Sequence, residues 1–239
     1  MARLTLFVLL VLSLGACQAG ASITQPASTA LPPTSTSTQT SPTDTPLPPT
    51  ATDIPPTGPV VLTFERTGVV VLIVSNQFDP VEFNGTQSPL LRAGYDVVVA
   101  AYTLDPLPDN EGGPHLEVHI LLADVDVEDY DAIIFIGNET LIYSNDLEAH
   151  RIAQEAVEHG RVLAALCHGP LVLAEAGLLD GRQATAWFGF GSDACRKLQS
   201  NGAICTYEMV QQDGLIITGQ GPDATAAFAG AILRLLEEP

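Results

Sequence analysis

The sequence has few basic residues, with 9 Lys and Arg against 28 Asp and Glu, and its formal net charge is −19. Such a surface repels phosphate backbones, so we expect no nucleic-acid partner. Otherwise, the excess of acidic residues fits a surface charge that keeps an exported protein in solution. Hydrophobic residues still make up 46% of the 239 positions, which is enough for a sizeable core. This length suits one domain with accessory segments, or at most two small domains.

The sequence also lacks the spacings of a metal site. Its four cysteines include no C-x-x-C pair, and its five histidines are scattered. His115 and His119 lie on one face of an alternating segment, but no third ligand is visible, so a solvated edge strand is the simpler interpretation. We therefore expect neither a metal nor a cofactor.

Long apolar runs are missing except at the start of the chain. Residues 1–16 contain one Arg and an apolar run of signal-peptide length. The run ends in Leu14-Gly15-Ala16-Cys17, which resembles a bacterial lipobox, in which the cysteine is lipidated; an ordinary secretory signal is the alternative. No other segment is long and apolar enough to span a bilayer. We expect an extracytoplasmic protein that contacts the membrane only through a lipid on Cys17.

Residues 17–59 are rich in Pro, Thr and Ser and contain no aromatic or basic residue. Such a segment cannot bury enough apolar surface to offset the entropy of ordering it. It is predicted to be a disordered, extended tether. The folded domain is then expected over residues 60–239.

Within that domain, apolar runs typical of buried strands alternate with helical segments. Strands are predicted over 69–74, 96–101, 131–136, 161–166, 203–209 and 215–218, with 115–122 as an antiparallel or edge strand. Helices are predicted from Pro80 to Leu91 and over 147–158, 169–176 and 224–236. The alternation predicts a doubly wound α/β fold: a mostly parallel sheet with helices on both faces.

The stretch 164–170, AALCHGP, places Cys167 where a predicted strand ends and a helix begins. Ligand sites of parallel α/β sheets lie at this edge. A tight strand-to-helix turn exposes the side chain at its apex, and Gly169 allows the turn to be close. The helix N-terminus favours thiolate, so we expect the pKa of Cys167 to fall below about 8.5. A buried structural cysteine is the alternative, but it does not explain the polar His168.

Three segments resemble the DJ-1/PfpI superfamily. AALCHGP resembles its cysteine motif A-x-x-C-H-G-P, and residues 76–82, NQFDPVE, resemble its N-E-F-E-D-x-E segment. Residues 213–222, DGLIITGQGP, resemble the D-G-L-I-L-T-S-R-G-P stretch near the end of DJ-1-type chains. The resemblance implies a flavodoxin-like α/β fold of the DJ-1/PfpI or class I glutamine amidotransferase-like type. It also implies a homodimer.

The resemblance assigns roles to individual residues. Cys167 would be the nucleophile, Glu82 a buried carboxyl group beside its sulfur, and His168 an adjacent base. The pocket would include Gly137, Asn138, His168 and Gly169, and the backbone amides of Asn138 and His168 would bind the oxyanion. For Glu82, the alternative from the residues alone is a solvated acid at the start of a helix.

Two positions depart from the family pattern. Ile136-Gly137-Asn138 replaces the usual Pro-Gly-Gly, and Asn is the non-glycine residue that best tolerates positive φ. Trp187, the only Trp in the chain, stands near the place of a His in DJ-1-type members. Glu139 is a candidate for the acidic partner of PfpI-like members. These changes argue against efficient proteolysis, and an aromatic wall at Trp187 suits a small, partly apolar carbonyl compound.

Several alternatives stay open at this stage. The first is an enzyme of hydrolase or glyoxalase/deglycase type that acts on small reactive carbonyls or amide-like substrates. The second is a non-catalytic stress protein or redox sensor in which Cys167 is oxidised, and the third is a ligand-binding lipoprotein. The sequence does not fix the substrate or whether the site turns over. It also leaves open whether Cys195 and Cys205 form a disulfide.

Overall fold

The structure, a computed structural model, describes residues 67–137, 146–189 and 191–238. The predicted signal peptide, the lipidation site Cys17 and the tether therefore lie outside the described residues. So do the proposed pocket residue Asn138 and the candidate acid Glu139. No helix in the described part of the chain combines the length and the apolar character that crossing a bilayer requires.

A seven-stranded sheet forms the centre of the domain. Its strands are β1 (Gly68–Val74), β2 (Tyr95–Ala101), β3 (Ile120–Leu121), β4 (Ala132–Ile136), β5 (Val162–Leu166), β8 (Val210–Asp213) and β9 (Ile216–Gly219). They lie in the order β3-β2-β1-β4-β5-β9-β8, and the pairs are parallel except for β8, which runs antiparallel to β9. The predicted doubly wound α/β fold is confirmed.

Within the described residues, five α-helices accompany the sheet: α1 (Pro80–Arg92), α2 (Leu147–Glu158), α3 (Pro170–Glu175), α4 (Ala194–Ser200) and α5 (Thr225–Glu237). Asp79 and Asp146 are the N-caps of α1 and α2. Their carboxylates accept hydrogen bonds from backbone N–H groups of the first turn. Gly94 and Gly160, both at positive φ, follow the ends of these helices. The N-caps and the glycines account for the good agreement with the predicted bounds.

The alternation of side chains along the central strands builds two apolar layers. Val71 and Ile73 of β1 point to the layer that contains α2 and α3. Leu72 and Val74 point to the layer that contains α1 and α5. Because β1, β4 and β5 are buried on both faces, their sequences are continuous apolar runs rather than alternating ones.

The prediction of a strand over 115–122 is wrong in extent, and of its two alternatives the edge strand is confirmed and the antiparallel one is wrong. Only Ile120 and Leu121 form a strand, and it pairs parallel with β2 at the edge of the sheet. Leu116 instead makes an isolated antiparallel bridge to Leu107. His119 caps the edge: its N–H donates to the Val99 carbonyl, and its Nδ1 accepts the Val99 N–H at 2.9 Å. The alternation of polar and apolar residues in this segment therefore accompanies these local contacts and not a long strand.

The predicted strand over 203–209 is reduced to β7 (Ile204–Cys205), which pairs parallel with β6 (Gln183–Ala184) in a separate two-stranded sheet. A disulfide joins Cys195 of α4 to Cys205 of β7. It answers the question that the cysteine count left open. It also leaves Cys167 as the free thiol among the described residues.

Candidate active site

Cys167 occupies the turn between β5 and α3 with φ at +62°. Positive φ is uncommon for a residue with a Cβ and has to be held by its surroundings. Two backbone hydrogen bonds do so: the Cys167 N–H donates to the Gly219 carbonyl at 2.9 Å, and the Cys167 carbonyl accepts the Trp187 N–H at 2.8 Å. The strand-to-helix turn predicted from AALCHGP is therefore present, and it is fixed from both sides.

Two glycines make room for this turn. A Cβ on Gly137 would collide with the amide nitrogen of Gly169 and would lie 2.7 Å from that of His168. A Cβ on Gly169 would lie 2.8 Å from the Phe135 carbonyl oxygen. Any larger residue would push the ends of β4 and β5 apart, so both positions require glycine because of close backbone approach.

The amides of these two glycines donate within the backbone, and the oxyanion role expected for the Asn138 and His168 amides stays a prediction. The Gly137 N–H donates to the Leu166 carbonyl at 3.2 Å, and the Gly169 N–H donates to the same carbonyl at 2.9 Å. The His168 N–H is directed to the Cys167 sulfur. The two glycines therefore shape the turn, and their amides are occupied within the backbone.

Glu82 lies in the first turn of α1, which follows β1, and its side chain is only 1% exposed. Its own N–H donates to the Asp79 carboxylate at 3.1 Å, which fixes where the helix begins. The Glu82 carboxyl group hydrogen-bonds the thiol of Cys167. The predicted contact is present, and the alternative of a solvated acid does not hold.

Burial dominates the electrostatics of this pair. It raises the pKa of Glu82 to about 8, although the hydrogen bond with Cys167 acts in the opposite direction and the charge of Asp79 adds to the rise. Burial also raises the pKa of the Cys167 thiol, and the negative charge of Glu82 raises it further. The hydrogen bond from the His168 N–H lowers the pKa of the thiol, but it is the smaller effect.

The prediction that the thiol pKa falls below its ordinary value is therefore wrong. The short helix α3 cannot offset the desolvation of a side chain that is 8% exposed. Since the two groups touch, their protons leave in steps that belong to the pair. At neutral pH the pair holds both protons, and the first is lost near pH 8.

His168 is half-buried, and its Nδ1 lies 3.4 Å from the Cys167 sulfur. Whether the ring nitrogen donates or accepts depends on the tautomer. At this distance the ring can exchange a proton with the sulfur. The site therefore brings three titratable groups together, those of Glu82, Cys167 and His168.

Trp187 forms one wall of the site. A Cβ on Gly221 would lie 2.7 Å from Cε3 of the indole and 3.4 Å from Oε1 of Glu82, so the ring packs on this backbone next to the carboxyl group. Ser192 Oγ donates to the Trp187 carbonyl at 2.8 Å and holds the loop. The indole singled out in the sequence therefore lies next to the Glu82 carboxyl group, and its role as a wall for substrate stays a prediction.

Sequence reasoning missed the backbone of residues 219–221, which contacts both Cys167 and Trp187. The signal was available, because this segment lies within the DGLIITGQGP resemblance. Within the described ranges, no three His, Cys, Asp or Glu side chains are grouped as metal ligands.

A protein-family model supports the resemblance. The model of the DJ-1/PfpI family matches residues 68–235. The chain belongs to the DJ-1/PfpI family. The match covers the strands and helices described above except for the last two residues of α5, and it includes Glu82, Cys167 and Trp187.

Individual family members share a quarter to a third of the residues. An uncharacterized protein of Archaeoglobus fulgidus is 29% identical over 170 residues, which are 70% of this chain and 98% of that one. The Bacillus subtilis protein named "Putative cysteine protease YraA" is 28% identical over 170 residues, again 70% of this chain and 98% of the relative.

Solved structures agree with the fold. A two-domain protein of Anabaena variabilis, with DJ-1/ThiJ/PfpI-like and ferritin-like domains, is 28% identical with a TM-score of 0.66. The similarity covers 71% of this chain and 48% of that longer one. Drosophila melanogaster DJ-1beta superposes with a TM-score of 0.63 at 22% identity, over 71% of this chain and 90% of that one, and it supports the fold alone.

Proposed function

We propose that the domain is an enzyme in which the Cys167 sulfur attacks the carbonyl carbon of a small reactive aldehyde or ketone. The observation that carries the proposal is the buried Glu82–Cys167 hydrogen bond at a turn held in positive φ. Two titratable groups in contact, both desolvated at the carboxyl edge of a sheet, are the arrangement that tunes proton transfer. A merely structural cysteine does not need a glutamate that is 1% exposed beside it.

The first chemical step follows from this pair. The sulfur forms a bond to the carbonyl carbon, and the π electrons of the C=O bond move to the oxygen. The oxygen then takes a proton from the Glu82 carboxylic acid or from His168, which gives a neutral hemithioacetal. The proton that leaves the sulfur passes to the group that protonated the oxygen. The buried site therefore gains no net charge in this step.

Small carbonyl compounds are favoured over amides. Amide hydrolysis develops an oxyanion that needs positioned N–H donors. Among the described residues, the Gly137 and Gly169 amides already donate to Leu166. Addition to an aldehyde places its proton on oxygen at once and depends less on such donors. The name of the B. subtilis relative points to the amide alternative, so amide substrates belong in the test.

The test is consumption of methylglyoxal by the purified protein, beside a chromogenic peptide amide. We expect turnover of methylglyoxal by the wild type, loss in Cys167→Ser and a reduction of about 100-fold or more in Glu82→Gln, because general acid–base groups typically contribute 10²–10⁴-fold. Peptide cleavage without methylglyoxal turnover would replace the carbonyl proposal with a hydrolase. Activity retained in Cys167→Ser would reject the nucleophile.

One observation favours a redox sensor as the second candidate. Oε2 of Glu82 is buried and has no hydrogen-bond partner among the described residues. A protonated carboxyl group in this place can donate to an oxygen on sulfur. Two equivalents of hydrogen peroxide would oxidise the thiol to a sulfinate and release two waters. A selective gain of about 32 Da on Cys167 under dilute peroxide, without methylglyoxal turnover, would favour this function.

We place the enzyme outside the cytoplasm, anchored by a lipid on Cys17. The motifs of residues 14–17 and the tether composition support this location. The Cys195–Cys205 disulfide adds support, because such bonds persist in oxidising compartments. Intact-mass measurement on the membrane fraction tests it, with Cys17→Ser as the matched variant. An unmodified Cys17 in a protein that does not sediment with membranes would reject the anchor.

A further inference from the structure

Two large aromatic side chains lie exposed at the same edge of the domain as Cys167. Phe188 is 61% and Tyr207 is 51% exposed, yet their rings pack edge to face with centroids 5.1 Å apart and planes at 82°. Pairs of exposed aromatic rings leave apolar area in water, and such patches commonly mark binding sites. Their positions relative to Cys167 indicate what they bind.

The backbone of residues 219–221 connects this aromatic pair to the site. The Gly219 carbonyl accepts the Cys167 N–H, and the Gln220 side-chain amide donates to the Tyr207 carbonyl at 2.8 Å. Gly221 packs against the Trp187 ring beside Glu82. Trp187 is the residue before Phe188, so the surface continues from the buried pair through the indole to the exposed rings.

The aromatic pair is also held in place before any ligand binds. Tyr207 has φ at +57°, a conformation that its surroundings must maintain. The Cys195–Cys205 disulfide fixes the chain two residues before Tyr207. Rigid aromatic side chains bind with little loss of conformational entropy, which is a property of preformed sites.

We propose that Phe188 and Tyr207 form a subsite for a flat, uncharged apolar group that is attached to the electrophilic carbon of the substrate. The group lies against the two rings while the reactive carbon reaches Cys167 past Trp187. The net charge of −19 disfavours an anionic substituent. The catalytic part of this inference rests on the proposed function. The subsite narrows the proposed substrate class from small carbonyl compounds to those that carry an aryl or similar apolar group.

The test compares two alkylating reagents on the full chain. Iodoacetanilide carries a phenyl group and iodoacetamide does not. The measured quantity is the ratio of their second-order rate constants at Cys167, divided by the same ratio for glutathione. We expect this normalised ratio to exceed one in the wild type. Phe188→Ala or Tyr207→Ala should lower it about threefold to tenfold, the range of an aromatic contact. Leu215→Ala removes an exposed side chain from the opposite edge of the sheet and should keep the wild-type ratio.

A second measurement does not depend on the reactivity of the cysteine. In Cys167→Ser, acetanilide is titrated while the fluorescence of Trp187, the only Trp in the chain, is followed. Saturable binding that Phe188→Ala weakens threefold to tenfold supports the subsite. If such binding is found but Cys167 reacts with neither reagent, only the proposed function fails. A normalised ratio near one together with no saturable binding would overturn the subsite. So would a change of oligomeric state in Phe188→Ala by sedimentation, because a second copy would then cover the rings.

Discussion

The carboxyl group of Glu82 hydrogen-bonds the thiol of Cys167 although the two residues are only 1% and 8% exposed. Neither group can ionise cheaply in this place, and ionisation of one raises the cost of ionising the other. The proton that remains after the first is lost can reside on oxygen or on sulfur at the same net charge. The pair can therefore present a thiolate beside a neutral acid.

The buried acid should make the domain less stable as pH rises. The pKa of Glu82 is about 8 in the folded state against 4.5 unperturbed, so between these values the folded state binds one proton more than the unfolded state. The free energy of unfolding should then fall by about 1.4 kcal/mol per pH unit from this group, and its contribution is lost once pH passes 8. Urea unfolding at intervals from pH 5 to pH 8 measures it.

Glu82→Gln removes that titration and keeps the shape of the protonated acid. Its free energy of unfolding should depend less steeply on pH than that of the wild type over the same range. Glu158→Gln is the matched control, because Glu158 is exposed at the C-terminal end of α2. Equal slopes in the wild type and Glu82→Gln would show that Glu82 is ionised in the folded protein at neutral pH.

Gly137→Ala should destabilise the domain, because its Cβ would collide with the Gly169 amide nitrogen. We expect a loss of about 2 kcal/mol or more, together with slower labelling of Cys167, since the turn that holds the cysteine must shift. Gly230→Ala is the control on α5, where the nearest atom to the new Cβ is an Arg234 guanidinium nitrogen at 3.7 Å. It should stabilise by about 0.5–1 kcal/mol, because alanine favours a helix.

Loss of the Cys195–Cys205 disulfide should cost about 2–3 kcal/mol of stability for a closed loop of this size. The double variant Cys195→Ser/Cys205→Ser tests this by urea unfolding, and the wild type in reducing agent should match it. If the double variant retains full stability in non-reducing buffer, the bond does not constrain the chain.

The elements that sequence reasoning predicted best have strong local signals. The strands β1, β4 and β5 are continuous apolar runs, and α1 and α2 each begin at an aspartate cap. The position of Cys167 followed from these elements, because a cysteine between a buried strand and a helix must lie at the carboxyl edge of a parallel sheet. Its link to Glu82 came from the family resemblance.

The elements that were missed or wrong depend on contacts that are distant in sequence. The two-residue strands β6 and β7 exist because segments 21 residues apart pair with each other, and no local pattern marks so short a strand. The alternation in 115–122 came from His119 capping β2 and not from a long strand. The direction of the thiol pKa was wrong because burial of the sulfur and the negative charge of Glu82 outweigh the effect of a six-residue helix.

The central claim is that Glu82 and Cys167 share protons so that the sulfur becomes a nucleophile. The most direct measurement is the rate of Cys167 alkylation by iodoacetamide from pH 5.5 to pH 10, read by peptide mass, in the wild type and in Glu82→Gln. In the wild type the rate should rise with an apparent pKa of about 8, the pH at which the pair loses its first proton. In Glu82→Gln the negative charge that raises the pKa of the thiol is absent, so the rate should keep rising above pH 8 and should exceed the wild-type rate there. Identical profiles for the two proteins would contradict the account, because Glu82 would then have no part in forming the thiolate.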